Sequence, residues 1–145
     1  MKKLGIIVMR LETINPTLAR RFLAFEDIGD ARRTFESIFN ACVRQTDESV
    51  FAYMDDLLLE ESLKTGLMPE CFDFDHYIGE LDRHYSVAEG EGRSKDAVAY
   101  FVLARLMSAL FFASSAKSPR DYAEAVYEAV MSSPRTARQL SAHRD

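Results

Sequence analysis

Apolar side chains recur every three or four residues along most of this chain, which is the spacing of one face of an α-helix. Over residues 31–45 they are Phe35, Ile38, Phe39, Cys42 and Val43. Over residues 73–87 they are Phe74, Tyr77, Ile78, Leu81 and Tyr85. Stretches that alternate apolar and polar residues, as half-buried strands do, are scarce. The pattern therefore predicts an all-α protein.

Residues that favour helix starts mark the boundaries of these helices. Each of three residue pairs places a side-chain oxygen, which can cap a helix, directly before a proline. Proline is favoured in the first helical turn because its nitrogen carries no N–H that would need a partner there. These pairs are Asn15-Pro16, Ser118-Pro119 and Ser133-Pro134. Four further caps are predicted. Asp30 caps a helix over 31–45, and Thr46 caps a helix from 47 to Gly66. Asp73 caps a helix from 73 to about 87, and Ser94 caps the helix over 95–116. Residues 89–93 are predicted to form a loop, and residues 134–142 a short last helix. The pattern over residues 4–11 fits either a short strand or a helix, and a helix is favoured because no partner strand is evident.

The most apolar stretch of the chain covers residues 97–116 and is interrupted by a single charge, Arg105. Its length would span a bilayer, but an arginine near the middle costs about 2.5–3.5 kcal/mol on insertion. A helix that is apolar nearly all round is typical of one enclosed by other helices. We therefore expect a single compact bundle of six to seven helices around an apolar central helix at about 95–116. Arg105 should pair with an acid from the middle of the chain, because an unpaired buried charge is costly.

Composition fits one globular domain over residues 1–145. The chain has a mass of 16.5 kDa and is 48% hydrophobic and 28% charged, which excludes a disordered chain. Its two cysteines, Cys42 and Cys71, are too few for a disulfide framework and form no C-x-x-C pair for a zinc site. The apolar run over residues 4–9 ends at Arg10, too short for a signal peptide, so a cytoplasmic location without membrane attachment is expected.

The net charge of −5 is distributed very unevenly. Residues 1–46 and residues 92–145 each hold eight basic and five acidic side chains, a net charge of +3. Residues 47–91, called the acidic segment below, hold 13 acidic side chains against Lys64 and Arg83, a net charge of −11. Because general nucleic-acid binders are basic overall, direct nucleic-acid binding is not expected.

The acidic segment has two interpretations. The basic flanks, for example Arg32, Arg33 or Arg44, could neutralise it within the chain. Alternatively, it attracts a basic partner by long-range electrostatics, through Asp55, Asp56, Glu60, Glu61, Asp73 and Asp75. The second interpretation predicts a small protein-interaction module of the inhibitor, antitoxin or immunity type, which neutralises a basic toxin or nuclease-like partner. No catalytic residue and no cofactor is predicted.

A different class of function follows from three side chains four residues apart, His76, Glu80 and His84. Imidazoles and carboxylates on one helix face can ligate a transition metal, so the alternative hypothesis is a metal-dependent hydrolase. These residues fall opposite the apolar stripe of the same helix. The competing interpretation is therefore a solvated face with a Glu80–His84 pair.

Overall fold

The computed structural model describes residues 10–54, 57–65 and 72–133, and within these ranges it contains eight helices and no strand. In chain order they are α1 (Arg10–Ile14), α2 (Pro16–Ala24), α3 (Ile28–Gln45), α4 (Glu48–Phe51), α5 (Leu57–Thr65), α6 (Phe74–Gly90), α7 (Ser94–Ser114) and α8 (Pro119–Met131). The helices pack against one another, which confirms the all-α bundle.

Helix α7 lies at the centre, as the apolar stretch predicted. It packs against α6 and α8 most extensively and also against α3 and α4. Its buried residues come from several sides of the helix: Ala97, Ala99, Leu103, Ala104, Leu106, Met107, Ala109 and Leu110. By length and mean hydropathy (1.8), α7 is also the one helix in the described ranges that could cross a membrane. Its packing against four other helices is that of a core helix.

Three of the predicted helix starts are confirmed. The Asn15 Oδ1 accepts the N–H of Leu18 at 3.0 Å. The Ser118 Oγ accepts the N–H of Asp121 at 3.2 Å, and Asp73 caps α6. The Ser133-Pro134 start, the helix over 134–142 and most of the stretch over 4–11 lie outside the described residues.

Two other caps were predicted wrongly, one by three residues and one by a single residue. Helix α3 begins at Ile28 because Asp27, rather than Asp30, accepts the N–H of Gly29 at 2.8 Å. Thr46 ends α3 instead of starting the next helix, since its hydroxyl donates to the carbonyl of Cys42 at 2.8 Å.

The predicted helix from residue 47 to Gly66 is also wrong, because the chain turns after α4. Asp47 caps α4, accepting the N–H of Ser49 at 2.9 Å. Tight i→i−3 bonds follow, from Tyr53 N to Val50 O at 3.1 Å and from Met54 N to Phe51 O at 3.0 Å. The turn brings the Tyr53 ring against Tyr100 of α7, with centroids 5.2 Å apart. This separation of α4 from α5 helps to raise the number of helices above the six or seven expected.

The connection between α6 and α7 is shorter than the predicted loop. Helix α6 continues to Gly90, and Gly92 adopts a positive φ of 75°, which favours glycine. The N–H of Arg93 bonds back to the carbonyl of Ala88 at 2.9 Å. Helix α7 therefore begins at Ser94, and Arg93 occupies the cap position without a capping side-chain hydrogen bond. The prediction that Ser94 caps this helix is wrong, because Ser94 is its first residue.

Arg105 does not pair with the acidic segment as expected. Its guanidinium donates to Glu128 of α8 at 2.7 Å, and Arg10 of α1 reaches the other oxygen of the same carboxylate at 2.9 Å. Glu128 is buried at 5% exposure. Arg105 binds Glu128 because α8, rather than the acidic segment, supplies the carboxylate on this side of α7.

Candidate functional site

Some of the candidate partner-binding acids have structural roles. The Asp73 carboxylate accepts the N–H of His76 at 3.0 Å and so caps α6. Asp47 has the same role in α4, and these hydrogen bonds at Ser49 lower the pKa of its carboxyl. Both side chains remain exposed, so their negative charge still faces solvent. Asp55 and Asp56 lie outside the described residues.

The cap role of Asp73 can be separated from its charge. Replacing Asp73 by alanine should lower the free energy of unfolding by about 1 kcal/mol, because an orphan N–H at the start of α6 loses its acceptor. Asp73→Ser keeps a capping oxygen and should stay close to wild type. Urea denaturation measures both, with Asp82→Ala, an exposed carboxylate further along α6, as the matched control. Equal losses in the alanine and serine variants would show that the charge matters and the cap does not.

Glu60 belongs to a small charge network that joins α4 to α5. The Lys64 ammonium lies 3.0 Å from Glu60 and 3.0 Å from Glu48, and hydrogen bonds to these two carboxylates raise the pKa of Lys64. The same ammonium lies 5.1 Å from the centre of the buried Phe51 ring. Glu60 is therefore partly neutralised by the one lysine of the acidic segment.

Three acids of this segment are exposed and form no ion pair or hydrogen bond through their side chains with other described residues: Glu61, Asp75 and Asp82. Asp75 and Asp82 lie seven residues apart on α6, which places them on one face about 10 Å apart along the axis. Of the six acids predicted to bind a partner, Glu61 and Asp75 are thus the two whose described carboxylates are uncommitted. Asp82 was missed, although its spacing from Asp75 is visible in the sequence.

The ion pairs that described arginines of the basic flanks form lie mainly within the flanks, which argues against the intramolecular interpretation. Lys95 of the second flank also attracts the Asp47 carboxylate. Arg32 lies near Glu36 at 3.6 Å, and Arg33 bonds to Asp30 in the same helix. Arg10 and Arg105 both bind Glu128. Among the ion pairs between described residues, one joins a flank to the acidic segment, from Arg93 to Glu91 at 2.9 Å. The charge of the segment is therefore left largely uncompensated by these pairs.

A cleft of about 560 Å³ opens between the turn after α4 and the helices α6 and α7. We call it the tyrosine cleft. Three tyrosines, two histidines and a carboxylate line it: Tyr53, Tyr77, Tyr100, His76, His84 and Glu80. Its apolar floor consists of Met54, Leu81 and Met107.

The solvated face proposed for His76, Glu80 and His84 is partly covered, since His76 is exposed whereas Glu80 and His84 are half-buried at the tyrosine cleft. The His84 ring stacks on Tyr100 of α7, with centroids 5.0 Å apart and planes 20° from parallel. His76 lies edge-on to Tyr77 at 5.6 Å. The three residues share a helix face as predicted, but that face borders the cleft because Tyr53 and Tyr100 extend over it.

Glu80 pairs with Arg83 rather than with His84. A hydrogen bond from Arg83 lowers the pKa of the Glu80 carboxyl, and the nearby His76 and His84 act in the same direction. Within the described part of the chain, no group of three His, Cys, Asp or Glu side chains is arranged to hold a metal ion. The geometry thus gives the metal-dependent hydrolase no support.

Tyr53 is held in the wall of the tyrosine cleft by its hydroxyl, which donates to Asp96 at the start of α7. This hydrogen bond is the main reason that the pKa of Asp96 is lowered, and a hydrogen bond from Arg93 contributes in the same direction. The bond to Asp96 also raises the pKa of Tyr53. Neither Tyr53 nor Tyr100 was among the site residues predicted from the sequence. The only signal was a tyrosine inside the otherwise apolar stretch of α7, since a tyrosine hydroxyl in a packed region needs a polar partner.

Comparison with known proteins adds no relative: no family model, no curated protein and no solved structure matches the chain.

Proposed function

We propose that this protein is an interaction module of the inhibitor or immunity type, which binds a basic, nuclease-like partner through the acidic segment. The observation that carries the proposal is the combination of a net charge of −11 over residues 47–91 with flanking arginines that bind acids elsewhere. A surface with this charge attracts a basic protein over several ångströms of solvent and accelerates encounter.

The uncommitted carboxylates supply the chemistry for such a contact. Glu61, Asp75 and Asp82 are exposed, and no described side chain competes for them. A nuclease presents lysines and arginines to the phosphates of its substrate. Carboxylates fixed on helices can bind those same lysines and arginines in place of the phosphates. Blocking that surface would neutralise the nuclease without any catalytic step by this chain.

The proposal is tested by capturing a partner on the full chain and on two matched variants. Asp75→Lys/Asp82→Lys reverses the uncommitted face of α6. Glu12→Lys/Glu26→Lys changes the net charge by the same amount, at exposed sites in the first third. We expect a basic partner whose association rate falls by about tenfold or more in the first variant and much less in the second. The rate should also fall as salt rises, because screening shortens the attraction.

Circular dichroism of both variants checks that the helices are retained. Addition of the wild-type chain should inhibit nucleic-acid cleavage by the captured partner. Equal association rates for the two variants, a partner without a basic surface, or a partner with no nucleic-acid substrate would each overturn the proposal.

A further inference from the structure

The tyrosine cleft has the layout of a site for one long cationic side chain. Its volume of about 560 Å³ falls within the range of roughly 300–1,000 Å³ typical of pockets that enclose a ligand. The floor is apolar and the walls are aromatic. Glu80 provides the one formal charge among the lining residues, which include no lysine or arginine.

We propose that the tyrosine cleft binds an arginine side chain of the basic partner and so anchors the interface. The identity of the partner rests on the proposed function, whereas the affinity of the cleft for an arginine side chain is independent of it. The aliphatic part of an arginine would lie on the half-buried Met54 and on the edge of Leu81. Its guanidinium would then reach the aromatic walls and the carboxylate of Glu80.

Arginine suits this cleft better than lysine. A guanidinium is planar and weakly hydrated, so it stacks on aromatic rings and binds carboxylates through a fixed pair of donors. Arg83 donates a hydrogen bond to Oε1 of Glu80, and no described residue donates one to Oε2. That second oxygen is the acceptor available to the incoming guanidinium.

The walls are held in place before any ligand arrives. Tyr53 is fixed by its hydrogen bond to Asp96, and Tyr100 is covered by His84 at 5.0 Å. Tyr77 stacks on Phe72 with centroids 5.0 Å apart. Rings that are already ordered lose little conformational entropy when a ligand binds, so the free-energy cost of binding one side chain is small.

Titration of the full chain with arginine amide, followed by NMR, tests the site without the partner. Citrulline amide is the matched probe, since it has the same shape without the charge. We expect arginine amide to shift the resonances of Tyr53, Leu81 and His84, and citrulline amide to shift them far less. Glu80→Gln should weaken the binding of arginine amide by about tenfold, whereas Glu89→Gln, outside the cleft on the same helix, should leave it unchanged.

The result separates this inference from the proposed function. Equal shifts with both probes, or no shift at the cleft, would overturn the arginine site even if charge reversal at Asp75 and Asp82 slows association of the partner. Shifts that disappear in Glu80→Gln support the site even if charge reversal has no effect. With the captured partner, Glu80→Gln should raise the dissociation rate by about tenfold and leave the association rate nearly unchanged, because anchors act mainly on dissociation. An unchanged dissociation rate would remove the cleft from the interface.

Discussion

Replacing both Arg10 and Arg105 by leucine is expected to lower the free energy of unfolding by about 3–5 kcal/mol, which is the range for breaking a buried charge pair. The carboxylate of Glu128 is 6% exposed and has these two arginines as its ion-pair partners among the described residues. Without them it stays buried and uncompensated. Each single replacement leaves one arginine in place and should cost only about 1 kcal/mol, so the double variant should lose more than the sum.

Chemical denaturation of five chains measures this coupling: wild type, the two single variants, the double variant and the double variant with Glu128→Leu. The last chain removes the buried charge and should regain most of the lost stability, because an apolar replacement of a buried ion pair is often neutral. Part of the loss will remain, since Arg10 also lies 4.4 Å from the Tyr127 ring and Arg105 lies 5.0 Å from the Phe101 ring. Simple additivity of the single variants would contradict a shared carboxylate.

Leu103→Ala in α7 should lower the free energy of unfolding by about 2–5 kcal/mol, because it removes buried methyl groups and leaves a cavity at the centre of the bundle. Leu103 is fully buried, with 0% exposure. Val98 is the matched control, since it lies on the same helix and is 59% exposed. Val98→Ala should change the stability by less than about 0.5 kcal/mol.

Thermal or urea unfolding of the two variants distinguishes a core helix from an apolar helix that is packed loosely. Similar small losses at both positions would contradict the central place of α7. A large loss at Val98 would instead indicate that this exposed face is covered in solution.

Local features of the fold could be predicted from the sequence, whereas features that depend on distant contacts could not. The apolar run around Leu103 and the caps at Asn15, Asp73 and Ser118 are encoded by neighbouring residues, and the structure confirms them. The turn after α4 could not be foreseen, because it depends on contacts of Tyr53 with α7.

The candidate site shows the same division. The acidic segment and the shared face of His76, Glu80 and His84 were visible in the spacing of residues along the chain. The tyrosine cleft was not, because His84 meets Tyr100 only through the packing of α6 on α7. The partner of Arg105 was predicted wrongly for a related reason: charge alone favoured the acidic segment, but the helix packed beside Arg105 is α8.

The contact of Arg10 with Glu128 also affects the order in which the chain assembles. These residues are 118 positions apart, whereas α6, α7 and α8 follow one another and pack as sequence neighbours. Closing a loop of that length costs more chain entropy than docking adjacent helices, so the neighbours should form first and α1 should dock late. Interactions formed after the rate-limiting barrier control the rate of unfolding rather than the rate of folding. The two arginines around Glu128 would then determine how long the folded state lasts more than how quickly it is reached.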